Sequence, residues 1–150
     1  MNQRIRNLFF FAIALLEPCR LAAAESATRI HLTARVISAS EVAYGVRNDG
    51  YYDGILGFMS CSSFVGWSTD NPNVKIVPPP GFRGCDKNVC RRTVINSKQT
   101  VNGELSFALA KGTKLPLSFR LRYKGCAENE KQKREFITDE IASKPTWLNP

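Results

Sequence analysis

Leu115-Pro116-Leu117-Ser118-Phe119-Arg120-Leu121-Arg122-Tyr123 carries the clearest pattern in the chain. Leu115, Leu117, Phe119, Leu121 and Tyr123 fall on one side, and Ser118, Arg120 and Arg122 fall on the other. A period of two marks a half-buried β-strand, because successive side chains of an extended backbone point to opposite faces. The stretch therefore reads as one strand, and as the last of the domain.

Reading back toward the N-terminus, the same period recurs. Glu104 to Ala110 places Leu105, Phe107 and Leu109 on one face, and Lys111-Gly112-Thr113 turns the chain into the strand quoted above. Arg92 to Ile95, Val74 to Val77, Val42 to Val46 and Ile30 to Val36 are further short strands, and Ile55 to Met59 reads as an interior one. Asn48-Asp49-Gly50 is a strong turn signal. Pro78-Pro79-Pro80 cannot lie inside a sheet, since three backbone donors are missing, and it makes a stiff extended surface segment. No segment of helical period and length separates the strands, which disfavours a parallel βαβ fold. About seven short antiparallel strands with frequent turns define an all-β β-sandwich. After Cys126 the composition becomes charged and polar, so residues 127–150 form a tail that is either one short helix, about Glu130 to Ala142, or mobile.

The N-terminus sets the compartment. Arg4 and Arg6 precede the apolar run from Leu8 to Leu16, and Ala22-Ala23-Ala24 follows. A basic region, a short apolar region and small residues, in that order, spell a cleaved secretory signal over residues 1–24. The apolar run is well below the roughly 20 residues a spanning helix needs, so no stable membrane anchor is expected. Cys19 is read as part of the removed signal; the alternative is a lipidated Cys19, against which Leu16-Glu17-Pro18 is a poor preceding sequence. The expected location is the bacterial periplasm or the exterior.

The mature chain, Glu25 to Pro150, is one domain with a sandwich over residues 25–126. Of 21 basic and 13 acidic residues, Arg4, Arg6, Arg20 and Glu17 belong to the signal, which leaves a net charge of +6. The charges are dispersed, and no long basic run argues for nucleic acid.

Removing the signal also removes Cys19 and leaves Cys61, Cys85, Cys90 and Cys126. An even number in an oxidising compartment implies two disulfides, with three pairings open. Zinc is disfavoured because no close pair of the C-x2-C kind is present, and a redox enzyme is disfavoured for want of C-x-x-C.

Chemistry is hard to find. His31 is the single histidine and sits on the polar face of its strand. No nucleophile elbow, zinc-binding helix, P-loop or dinucleotide fingerprint occurs. These absences point to a non-enzyme, with no catalytic residue, metal or cofactor assigned. Ser68, Asp70, Asn71, Asp86 and Asn88 could offer oxygens to Ca²⁺, but turn and cap chemistry explains such residues as well. Phe64 and Trp67 are either core or an exposed contact patch. Trp67, Pro79, Phe82 and Arg83 make up a candidate recognition loop.

Met59-Ser60-Cys61, Thr69-Asp70-Asn71 and Cys85-Asp86-Lys87-Asn88 together resemble a group of small exported bacterial proteins of unassigned function, over about residues 46 to 124. The resemblance implies an immunoglobulin-like sandwich with Cys61 bridged to Cys85. Cys90–Cys126 is the pair that goes with it. The chain departs from that group in having Cys90 and Cys126 and in its three prolines. The resemblance implies no activity. The first functional reading is a non-catalytic binding or interaction module for another protein or a cell-envelope component. The alternatives are an inhibitor or immunity-type protein that blocks a secreted enzyme through Pro78 to Arg83, and a small hydrolase with a carboxylate site assembled from distant residues.

Overall fold

The computed structural model describes residues 29–150. The expected signal, its cleavage site and Cys19 lie outside the described residues. Within them the chain runs β1 (Ile30–Ser38), β2 (Glu41–Asn48), β3 (Gly54–Met59), β4 (Trp67–Thr69), β5 (Val74–Val77), β6 (Cys90–Ile95), β7 (Thr100–Leu109), β8 (Leu117–Phe119), β9 (Leu121–Lys124), α1 (Glu130–Glu135), β10 (Glu140–Ala142) and β11 (Thr146–Leu148). The fold is mostly β, and all its ladders are antiparallel.

One four-stranded sheet has the order β1-β2-β7-β5. Its register sets Leu32 opposite Val46, and Val42 opposite Val36 on one side and Leu105 on the other. Alternation then sends these side chains to a common inner face, where Leu32, Val42, Val46, Leu105 and Phe107 are buried. That face meets the shorter sheets through aromatic rings. Phe107 packs on Phe119 at 5.7 Å, and Trp67 lies between Tyr44 at 4.3 Å and Tyr123 at 4.4 Å. Offset aromatic contacts of this kind add about 0.5–1.5 kcal/mol each beyond the area they bury. β5 lies at the sheet edge, and the chain leaves it directly into Pro78, the position a proline run tolerates.

The structure departs from the sequence reading in four places. Among the described residues eleven strands are formed where about seven are expected, because several pair over only three residues. Leu115 to Tyr123 is neither continuous nor last. It breaks at Arg120, so that β8 pairs with β11 while β9 pairs with β4 and β10. Asp70 holds the break: its Oδ1 accepts from Arg120 N at 2.7 Å, while its own N–H donates to Arg120 O at 3.3 Å. The inward period still survives, since Leu117, Phe119, Leu121 and Tyr123 are all buried. β3 is not interior to a sheet. Among the described residues it pairs with β6 alone, apart from a single parallel bridge from Leu56 to Ile137.

The tail is the fourth departure. α1 starts where Asn129 Oδ1 accepts from Gln132 N at 2.9 Å, and it stops at Glu135 rather than Ala142. Phe136 takes extended geometry and turns into the interior, 7% exposed. Beyond it β10 and β11 complete two of the sheets, and Ser143 exchanges hydrogen bonds with the backbone of Leu121. A domain ending at Cys126 would leave β8 without its partner strand and β9 without one of its two.

Candidate functional site

Both disulfides are formed, Cys61 to Cys85 and Cys90 to Cys126. Their surroundings differ. Cys90 is buried and its bridge lies against Gly57, where an added Cβ would meet the carbonyl of Cys126 and come 2.6 Å from Cys90 Sγ. Gly57 is therefore glycine for close approach. The Cys61–Cys85 bridge lies instead within the surface segment between β3 and β6, with Cys61 exposed.

That segment holds the candidate recognition loop, and the structure divides its members. Trp67 is removed from it: the side chain is 7% exposed and wedged between Tyr44 and Tyr123, because β4 places it opposite Tyr123 on the inner face. Its Nε1 finds no acceptor among the described residues. Pro78, Pro79 and Pro80 are exposed, and the backbone turns back at once, with Phe82 N donating to Pro79 O at 3.1 Å. Gly81 supports that turn at a φ of 80°, where a side chain would be strained. Phe82 is half-buried and meets Phe64 edge-to-face at 5.1 Å. Arg83 stays exposed. Beneath the prolines lies a cleft of about 250 Å³, lined in part by Glu41 and Glu104.

The oxygen-bearing residues of this segment act largely on backbone. Asn71 Nδ2 donates to Ser118 O at 2.9 Å, Thr69 Oγ1 donates to Val74 O at 2.7 Å, and Asn88 Oδ1 accepts from Cys61 N at 3.4 Å. Asp70, Thr69 and Asn71 thus tie β4 to β5 and to the break at Arg120, while Asn88 ties the two ends of the disulfide loop together.

The most prominent surface feature lies elsewhere. Between β2 and β3, Tyr51 and Tyr52 stand 77% exposed. The loop that carries them is fixed by Asn48, itself 3% exposed. Asn48 Nδ2 donates to Tyr52 O at 2.7 Å and to Ile95 O at 2.9 Å, and Asn48 Oδ1 accepts from Gly50 N at 2.9 Å. The β6–β7 turn closes against it: Ser97 Oγ donates to Gly50 O at 2.6 Å, and Ser97 N donates to Asp53 Oδ1 at 3.1 Å. Lys98 takes a left-handed φ of 64° in that turn, and its Nζ lies 5.0 Å from the centre of the Tyr51 ring. Arg29 approaches the same ring at 5.7 Å. A non-glycine residue in this region of backbone space costs about 1–3 kcal/mol, so the surrounding hydrogen bonds must hold it there.

Charges gather at the same end. Arg47 Nε donates to Asp49 Oδ1 at 2.6 Å, and His31 Nε2 lies 3.6 Å from Asp49 Oδ2. The Arg47 bond holds the Asp49 carboxyl below the usual carboxylate range. Sequence reasoning had the Asn48-Asp49-Gly50 turn and passed over the two tyrosines after it. The signal for them was two adjacent large aromatics directly after a turn, where burial is hard to arrange. Comparison with protein-family models, with curated proteins and with solved structures finds no match.

Proposed function

We propose that this chain is an exported, non-catalytic binding module on an immunoglobulin-like sandwich, and that it grips another protein or a cell-envelope component through the Tyr51–Tyr52 loop. The observation that carries the reading is a pair of tyrosines, each 77% exposed, on backbone locked by a buried asparagine. Large exposed rings are unfavourable in water unless something covers them, and Tyr is among the residues that dominate contact energetics. A loop already held in one conformation loses little entropy on binding. Arg29 and Lys98 beside Tyr51 add cationic groups to the same patch. The two disulfides fit an oxidising location outside the cytoplasm.

The test is capture from periplasmic extract by the folded mature domain, with the partner then identified. The Tyr51→Ala/Tyr52→Ala form should lose that partner and keep its melting temperature. Retention of the partner by the double variant would overturn the reading. Inhibition of a secreted enzyme through Pro78 to Arg83 is the second reading. It is favoured by Arg83, exposed on a segment stiffened by three prolines and the Cys61–Cys85 bridge.

A further inference from the structure

The free edge of β1 adjoins the tyrosine loop. β1 lies at one end of its sheet and, among the described residues, forms a ladder only with β2, while β10 and β11 pack close beside it. Just outside the ladder that sets Ile30 opposite Asn48, Asp49 N donates to Arg29 O at 2.8 Å. Antiparallel ladders alternate, so the odd-numbered residues of β1 face β2 with their backbone groups. Ile30, Leu32 and Ala34 turn theirs outward. Among the described residues no hydrogen bond uses those outward groups. A slot of about 530 Å³ opens alongside, between them and Ile141, Lys144 and Pro145. Among the described residues that line it, Lys144 supplies the charge and none carries a carboxylate. The slot runs toward the loop: an added Cβ on Gly54 would lie 2.9 Å from Ile30 Cδ1, and one on Gly50 would lie 3.8 Å from Arg29 Cβ.

We infer that the partner of the tyrosine loop contributes an extended segment that pairs with the free edge of β1, its acidic side chains toward Lys144 and its apolar ones toward Ile141 and Pro145. The inference rests on the binding-module reading and names the form in which the partner is read. Exposed edges are templates for strand addition, in which backbone bonds give affinity and flanking side chains give preference. The tyrosines then meet the partner's residues just beyond the paired segment. β1 carries no proline over Ile30–Ser38 and no charge on its inward face, so it lacks two common devices that discourage pairing.

The probe is the acetylated, amidated peptide Glu-Val-Thr-Val-Glu-Val-Thr-Val-Glu, added to the disulfide-bonded mature protein. Binding should slow hydrogen exchange at the amides of Leu32 and Ala34. Ala34→Pro removes an outward donor without touching the ladder to β2, so it should weaken binding at least about tenfold with the fold intact. A second arm leaves the protein unaltered: the same peptide N-methylated at its central residues, or with Lys for Glu, should also bind at least about tenfold more weakly. The inference is overturned if the peptide protects neither amide, if N-methylation leaves binding unchanged, or if β1 is already protected by a second copy of this chain in a dimer. Loss of the captured partner in Tyr51→Ala/Tyr52→Ala with a silent edge would keep the binding-module reading and reject this one.

Discussion

The loop after β5 and the loop after β2 are both stiff, and they differ in where their aromatic rings go. Pro78 to Arg83 is held by covalent means: three pyrrolidine rings, and the Cys61–Cys85 bridge at its far end. Its one ring, Phe82, folds back onto Phe64. The Gly50–Asp53 loop has no proline and no bridge. It hangs from the side chain of Asn48, and both its rings stand in solvent. Stiffness alone therefore does not make a contact surface. A rigid loop recognises something when its large side chains are left over after the loop has satisfied itself.

Removing each anchor separates the two. The change with the largest expected effect is Cys61→Ser/Cys85→Ser. The bridge spans a sequence separation of 24, and the chain-entropy account gives its loss as about 3–4 kcal/mol. Chemical denaturation should show that loss, while the nuclear magnetic resonance shifts of Tyr51 and Tyr52 stay put. Asn48→Ala comes next. It strands the carbonyls of Tyr52 and Ile95 and the amide of Gly50, the last two buried, at about 2–3 kcal/mol in total. Here the tyrosine shifts should move, and partner binding should fall as the loop loses its conformation. If Asn48→Ala left those shifts unchanged, the contrast between the loops would collapse. Phe82→Ala should cost about 1–2 kcal/mol in a thermal melt, below the roughly 3–5 kcal/mol of a fully buried Phe, because only its edge-to-face contact with Phe64 and half its surface are lost.

Much of the fold was legible from alternation. The inward residues of β7, β8 and β9 follow the sequence period, because a half-buried sheet face forces it. The break at Arg120 was not legible, since it depends on Asp70, fifty positions earlier in the chain, reaching its backbone N–H. The tail misled for a similar reason. Residues 140–148 are too short and too polar to show a period, and only pairing with β8 and β9 makes them strands. The turn at Asn48-Asp49-Gly50 was plain, yet the second role of Asn48 was hidden. A turn residue and a buried loop anchor look identical until Ile95 O, 47 positions away, is seen to accept from it. The sequence leaves Trp67 as either core or contact, and its place on the inner face of β4 makes it core.

Binding by three forms of the mature protein to the partner it captures, measured calorimetrically, tests the central claim most directly. The forms are the native chain, Tyr51→Ala/Tyr52→Ala and Phe82→Ala/Arg83→Ala. Exposed side chains away from special features shift stability by about 0.5 kcal/mol or less, so the tyrosine variant should melt with the native chain. It should nevertheless bind more weakly by about 2 kcal/mol or more, as at a hot spot, while the Phe82/Arg83 variant binds as the native chain does. Equal binding by the tyrosine variant, with the loss falling on Phe82 and Arg83 instead, would contradict the account.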